Sequence, residues 1–254
     1  MNISEYFIQS RRSGAMFGEL LAPATLEKAY QIQKQNSADL GCIQGWKLGC
    51  TTSQARQLFA TSSTCYGAIY EAGVMSAAND LALPELIASP MGEVEVCFRL
   101  SSAVTRLGEY DLKNTPVDTF IDTVMPSIEL PWSVFPLPGA GLNVLVADSC
   151  AAGALITGEE LPWEESKLAL FNGSVVLRTD CAVLAEGRVE NIVDGPLQAL
   201  LDFLMLAQQH KLKLSTGQVV ATGGCTPCVP LVSGKYLHVE FAKLGCFSFC
   251  LNSK

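Results

Sequence analysis

Three glutamates stand in otherwise apolar, strand-like sequence. Glu93 and Glu95 lie in Met91-Gly-Glu-Val-Glu-Val-Cys-Phe98, and Glu129 lies in Pro126-Ser-Ile-Glu-Leu-Pro131. In a strand, residues two apart project from the same face, so Glu93 and Glu95 point together while Val94 and Val96 face the other way. Burying an unpaired carboxylate is costly, and adjacent like charges raise each other's pKa. A hard divalent cation such as Mg2+ or Mn2+ resolves that conflict, because carboxylate oxygens are its preferred ligands. The competing reading of the E-x-E spacing is an edge strand with a solvated acidic face.

Lys47 lies between Trp46 and Leu48 in a segment with apolar neighbours. A lysine partly desolvated near a cation has a lowered pKa and can move protons near neutral pH; an exposed edge-strand lysine is the alternative. Asp148, in Val146-Ala-Asp-Ser149, follows a run read as an apolar strand and could orient a water or cap a loop. His210 ends an amphipathic segment, and His238 alternates within Tyr236-Leu-His-Val-Glu-Phe241 on a sheet face. Two histidines leave little material for a Ser-His-Asp or Cys-His apparatus. No G-x-S-x-G, P-loop or dinucleotide-binding glycine pattern occurs, and Pro138-Gly-Ala-Gly141 reads as a loop. Cys225-Thr-Pro-Cys228 is formally a C-x-x-C, but Thr222-Gly-Gly and Pro230 around it predict a strand-to-loop turn, not a redox or zinc site.

These groups must be held by a chain of 254 residues, long enough to bury its own core. The first 80 or so residues lean helical and the remainder β, a division into an N-terminal α/β portion (1–80) and a β-rich, metal-binding catalytic domain (81–254). Asn2-Ile-Ser-Glu5 has the spacing of a helix cap, Arg11-Arg12 complements that helix's end and Gly14 stops it. A second helix runs from Thr25 to about Asp39, Gln44–Gly49 is a short strand, Thr51–Phe59 a third helix and Ser62–Gly67 a loop. Residues 93–100, 127–130, 142–146, 154–157, 174–177, 218–222, 236–241 and 245–251 read as short strands. Asp194-Gly-Pro196 opens a long helix from Leu197 to His210. Many short strands with few long helices predict an α+β fold with a curled, mixed sheet.

A net charge of −8 without a Lys/Arg cluster argues against nucleic acid as a partner. No stretch approaches the ~18 apolar residues of a membrane span, and the N-terminus lacks the form of a signal peptide. The ten cysteines are therefore read as reduced thiols in a cytoplasmic protein, with Cys97, Cys246 and Cys250 as small buried hydrophobes. A chain 49% hydrophobic and only 17% charged also points to a subunit interface.

Taken in order, these pieces resemble the hydratase/decarboxylase branch of the fumarylacetoacetate hydrolase superfamily. Arg11-Arg-Ser-Gly14 is similar to the family's N-terminal helix ending, Gly45-Trp-Lys-Leu-Gly49 to its G-Y-K-I-G strand and Tyr66-Gly67 to a following Y-G. Glu93-Val-Glu95 resembles its E-x-E, Pro126-Ser-Ile-Glu129 its P-A-L-E, Ala147–Gly153 its A-D-N-A-S-S-G and Gly217–Gly223 its G-D-V-V-L-T-G. The resemblance covers nearly the whole chain. It implies a small N-terminal α/β portion and a C-terminal mixed β-roll, in a homo-oligomer. It also implies Mg2+ or Mn2+ on Glu93, Glu95 and Glu129, Lys47 and Asp148 as catalytic groups, and Leu48, Glu71, Ser149 and Thr222 around a 2-oxo acid. The activity implied is a lyase adding water to a 2-hydroxypenta-2,4-dienoate-like acid in aromatic-compound breakdown. A 4-oxalocrotonate-type decarboxylase and a non-catalytic 2-oxo-acid-binding or partner-stabilising homologue are the alternatives.

Several family hydroxyls and charges are missing. The S-S of the A-D-N-A-S-S-G stretch is Ala151-Ala152, the serine of T-G-S is Gly224, the acidic pair after Y-G is reduced to Glu71-Ala72, and Met91 or Gly92 replaces a basic residue before E-x-E. The loss of one positioned donor typically costs about 100- to 1000-fold in rate.

Overall fold

The computed structural model describes residues 1–167 and 173–252. Helix α1 (Ile3–Ser13) begins at a capping box between Asn2 and Glu5 and ends at Gly14, whose φ of 71° suits glycine. Helix α2 (Leu26–Leu40) is capped by the Thr25 hydroxyl. Strand β1 (Ile43–Gly49), helix α3 (Ser53–Leu58) and strands β2 (Cys65–Tyr70) and β3 (Val74–Ser76) follow. The middle of the chain supplies β4 (Met91–Leu100), β5 (Ile121–Leu130), α4 (Leu142–Ala147), β6 (Ala154–Thr157), β7 (Leu161–Pro162) and α5 (Trp163–Ser166). The last third supplies β8 (Ser174–Thr179), β9 (Val183–Arg188), α6 (Gly195–Gln209), β10 (Val219–Gly224), β11 (Val229–Pro230), β12 (Tyr236–Phe241) and β13 (Gly245–Cys250).

Among the described residues, the large sheet runs β2-β1-β10-β4-β5-β6-β3, with β11 on β4 and β7 on β5. The pairs β1/β10 and β3/β6 are parallel and the others antiparallel. A smaller antiparallel sheet, β13-β12-β8-β9, packs on β4 and β5. The fold is thus α+β with a mixed sheet, as the sequence predicts. The boundary near residue 80 falls between β3 and β4, and strands from both sides build the same sheet.

Alternation along the strands separates two faces. Trp46, Leu48, Val94, Val96, Phe98, Val124, Ile128 and Val220 belong to the large core, together with Ala199, Leu200, Phe203, Leu204 and Ala207 of α6. Those α6 positions recur at helical spacing, and burying each Leu or Phe contributes about 1.5–3 kcal/mol. The other face carries Lys47, Glu93, Glu95 and Glu129, and a small apolar cluster of Ile69, Cys97, Met125, Ala152, Leu155, Val219 and Ala221.

Three local expectations differ. Leu142–Ala147 is a helix, not a strand, because so short a run, buried and apolar over Val144–Ala147, has no decisive period; it packs against α2. The segment read as a loop ending at Gly67 becomes β2 from Cys65 onward, paired with β1. Cys97 is buried as expected, but Cys246 is exposed on the edge strand of the small sheet, where alternation turns it outward. Among the described residues, no helix is long and apolar enough to cross a membrane.

Candidate metal centre

Antiparallel pairing of β4 with β5 sets Glu93 directly opposite Glu129 and Glu95 opposite Ser127. One carboxylate oxygen from each of Glu93, Glu95 and Glu129 lies within 4.8 Å of the others. Glu95 and Glu129 are fully buried and Glu93 is half-buried. The E-x-E spacing sets Glu93 and Glu95 on one face, strand pairing adds Glu129, and the three lie inside the sheet, not along a solvated edge.

The neighbouring strand β10 is shaped around it. Between Ala221 and Gly224 the pairing with β4 slips, and Gly223 adopts φ 111°. Its N–H donates to Glu95 Oε2 at 2.7 Å. At Gly224 a Cβ would overlap the Glu93 carboxylate, so glycine in place of the serine of T-G-S leaves room for that side chain. The Thr222 hydroxyl donates to the Val96 carbonyl at 2.9 Å and clips β10 to β4.

Lys47 reaches the cluster from β1. Its Nζ lies 3.4 Å from Glu129 Oε2, and the residue is 6% exposed. Burial disfavours the ammonium, but Glu129, Glu93 and Glu95 together outweigh it and hold Lys47 well above the usual lysine range. The shift thus runs opposite to the lowering expected beside a cation, because in the metal-free protein its partners are anions. Burial pushes Glu129 from 4.5 up to about 8 against the pull of Lys47. Burial, then the charges of Glu93 and Glu129, push Glu95 well above the carboxylate range. Burial likewise raises Glu93, with Lys47 acting against it.

These residues fit a hard divalent cation. Three carboxylates face one lysine, and the buried Glu95 Oε1 and Glu129 Oε1 have no hydrogen-bond partner. A protonation prediction follows. Because the folded carboxylates titrate above their unfolded values, the folded metal-free state holds more protons across the window from 4.5 to about 8. Its stability should fall as pH rises through that window, while Mg2+ affinity rises and each binding event releases protons. Calorimetry in two buffers of different ionisation enthalpy, at about pH 6.5 and about pH 9, reads the proton count directly. Equal release at both pH values would contradict the raised carboxylates.

Asp148 caps the end of α4 and is buried; α1, not a strand, determines its environment. Arg11 Nη1 donates to Asp148 Oδ1 and to the Asp148 carbonyl, both at 2.9 Å, and Nη2 donates to the Ala152 carbonyl. Burial raises the Asp148 carboxyl against the pull of Arg11. The sequence predicts for Arg11 only that it complements a helix end; its separation of 137 residues from Asp148 leaves no local signal for the contact. Ser149 is buried in the turn that follows, and its carbonyl sits where a Cβ on Gly67 would be, opposite Lys47 on β2. Gly67→Ala should therefore displace the turn and destabilise the protein by about 3 kcal/mol or more. A urea-unfolding midpoint equal to wild type would show that the turn gives way freely.

Two of the predicted substrate contacts lie elsewhere. Leu48, 2% exposed, belongs to the core on the face opposite Lys47. Glu71 is exposed at the start of a 3-10 turn beyond Tyr70, which pairs with Ile43, four residues along β1 from Lys47. It borders a groove of about 260 Å³ with Gln44, Arg99 and Thr157, away from the carboxylates. Neither histidine joins the site: His210 Nδ1 pairs with the Tyr66 hydroxyl at 2.8 Å, and His238 bridges Ser248 and Asp180.

No family profile matches the chain. It is 23% identical over 232 residues to the TodF product hydratase of Pseudomonas putida, covering 89% of this chain and 84% of that one. It is 21% identical over 240 residues to the 2-oxo-hept-4-ene-1,7-dioate hydratase of Escherichia coli, covering 88% and 86%. Its fold matches 4-oxalocrotonate decarboxylase from Pseudomonas putida, complexed with magnesium and adipate, at a TM-score of 0.80 over 98% of this chain and 95% of that one, with 21% identity. Fumarylpyruvate hydrolase from Pseudomonas aeruginosa, in complex with Mn2+ and pyruvate, matches at a TM-score of 0.61 over 84% and 91%, with 10% identity.

Proposed function

We propose that this chain, similar in sequence to two hydratases and in fold to 4-oxalocrotonate decarboxylase, belongs to the hydratase/decarboxylase branch of the fumarylacetoacetate hydrolase superfamily and is a divalent-metal-dependent hydro-lyase. Its substrate is a short unsaturated 2-oxo acid of the 2-hydroxypenta-2,4-dienoate kind. The observation that carries the reading is the buried Glu93–Glu95–Glu129 cluster with Lys47 3.4 Å from Glu129 on the same face.

Glu93, Glu95 and Glu129 hold the cation. Bound there, Mg2+ or Mn2+ supplies Lewis-acid stabilisation of negative charge at a 2-oxo oxygen and offsets the carboxylate field on Lys47. Lys47 Nζ holds the proton that moves between the enzyme and the substrate carbon skeleton. Gly223 N–H orients Glu95, and Thr222 fastens β10 beside it. Asp148 and Arg11 act as a clamp on the turn that presents Ser149 towards the Lys47 strand. Leu48 contributes by packing beneath Lys47, and Glu71 stands outside the reacting centre.

A decarboxylase of the 4-oxalocrotonate type is the second reading, favoured by the structural match at a TM-score of 0.80. It would need a cation for the second carboxylate of a diacid. The two cations acting on Glu129, Lys47 and Arg11, are already paired, which favours the monoacid. We place the enzyme in the cytoplasm, in keeping with its free cysteines, and in a homo-oligomer. Met16, Phe17 and Leu21, exposed at 37%, 45% and 41% between α1 and α2, are the surface best suited to such an interface.

The test is an ultraviolet assay with 2-hydroxypenta-2,4-dienoate, with and without Mg2+ or Mn2+. Metal-dependent loss of the dienol absorbance, with a 4-hydroxy-2-oxo acid appearing, is the expected result. Absence of turnover while the metal and pyruvate still bind in calorimetry would shift the reading to another 2-oxo acid or to a binding role. Binding of neither would overturn the site.

A further inference from the structure

Three thiols from distant parts of the chain meet beside Lys47. Cys50 follows β1, Cys65 opens β2, and Cys150 sits in the turn after α4; they are 3%, 2% and 1% exposed. Cys65 Sγ lies 3.4 Å from Cys150 Sγ and 3.8 Å from Cys50 Sγ. Glycines create the space for this contact. A Cβ on Gly49 would lie 2.9 Å from Cys65 Sγ and 3.9 Å from Cys150 Sγ, and one on Gly67 would lie 3.0 Å from Cys150 Cβ.

The backbone is strained where the sulfurs converge. Cys50 has φ 57°, and Ser149, Cys150 and Ala151 have φ 52°, 52° and 56°, a left-handed run that L side chains rarely adopt. The run persists because it is held from outside. Arg11 donates to the carbonyls of Asp148 and Ala152, and Trp132 N–H donates to the Ala151 carbonyl at 2.7 Å. The catalytic reading uses none of the three thiols.

We propose that Cys65 and Cys150 are an oxidisable pair, which a peroxide-class oxidant converts to a disulfide tying the 148–152 turn to β2 beside Lys47. One thiolate attacks a peroxide oxygen; the O–O bond breaks, leaving a sulfenic acid on sulfur and releasing water or an alcohol. The second thiol attacks that sulfur, the S–S bond forms, and hydroxide leaves with the thiol proton as water. Two electrons pass from the sulfurs to the peroxide: two RSH and one ROOH become RSSR, ROH and H2O. The 3.4 Å separation must close to the about 2.05 Å of a disulfide, through movement of the turn or of Cys65 at the start of β2. The hydrogen bond to Cys150 and burial push the Cys65 thiol up, while the hydrogen bond with Cys50 and, more weakly, the Lys47 ammonium act against them.

The test is a non-reducing peptide mass map of the metal-loaded protein after hydrogen peroxide and then alkylation in denaturant. The expected product is a peptide pair joined through Cys65 and Cys150 and lighter by two hydrogens. Dithiothreitol should remove it, and Cys150→Ser should lack it while its Cys65 becomes alkylated. Recovery of both residues as alkylated thiols in the wild type, while the exposed Cys181 and Cys228 are oxidised, would overturn the proposal. A Cys50–Cys65 bridge in its place would also overturn it.

Discussion

Lys47→Met should lower turnover by about 100- to 10000-fold, the range of a lost general acid–base, while leaving divalent-metal binding in place. Methionine keeps the length and apolar stem of the side chain, so β1 should stay in register with β2 and β10. What disappears is the ammonium 3.4 Å from Glu129 Oε2. Without it, Glu129 and Glu95 hold their protons to higher pH, because Lys47 is the cation that most opposes their burial. Metal affinity should therefore weaken at neutral pH and recover as rising pH ionises the carboxylates, with no ammonium left to repel the cation. Turnover within a few-fold of wild type would remove Lys47 from the reaction. Metal binding lost at every pH would make it a structural counter-ion instead.

Glu95→Gln should abolish Mg2+ binding and leave the metal-free protein as stable as wild type or more so. The Gly223 N–H can still donate to the amide oxygen, so the slip in β10 keeps its anchor. The change removes one of three mutually repelling carboxylates, whose burial already drives Glu95 to hold its proton. In the wild type, Mg2+ at about 100 times its dissociation constant should add about 2.7 kcal/mol of stability, a rise in Tm of about 5–10 °C. The variant should show none of that rise. A wild-type metal-induced shift in Glu95→Gln would mean that the cation sits elsewhere. A variant that fails to fold would assign Glu95 to the architecture of β4, not to the metal.

Much of this protein is legible locally. The Asn2–Glu5 cap, the Gly14 stop, the Thr25 cap and the Pro196 helix start are contacts within a few residues, and each occurs where the spacing places it. The shared face of Glu93 and Glu95 is equally local, since it depends only on strand alternation. That Glu129 stands opposite Glu93 needs the register of β4 with β5, which residue spacing could not supply; the family resemblance implies only that the three share a metal. Leu142–Ala147 is ambiguous in sequence for a related reason: a short, largely apolar run fits helix and strand alike, and packing against α2 decides it.

Tertiary structure alone decided the electrostatics. Whether the E-x-E was solvated or buried depended on what covered it, and the direction of the Lys47 shift depended on three carboxylates brought in from β4 and β5. Arg11 on Asp148, Ser149 over Gly67 and the sulfurs of Cys50, Cys65 and Cys150 are likewise contacts between segments distant in the chain. The sequence by itself determined which side chains share a face, because backbone periodicity acts over two to four residues. The fold determined which of them are buried, paired and shifted, because desolvation and Coulomb interactions act through space and take no account of sequence separation.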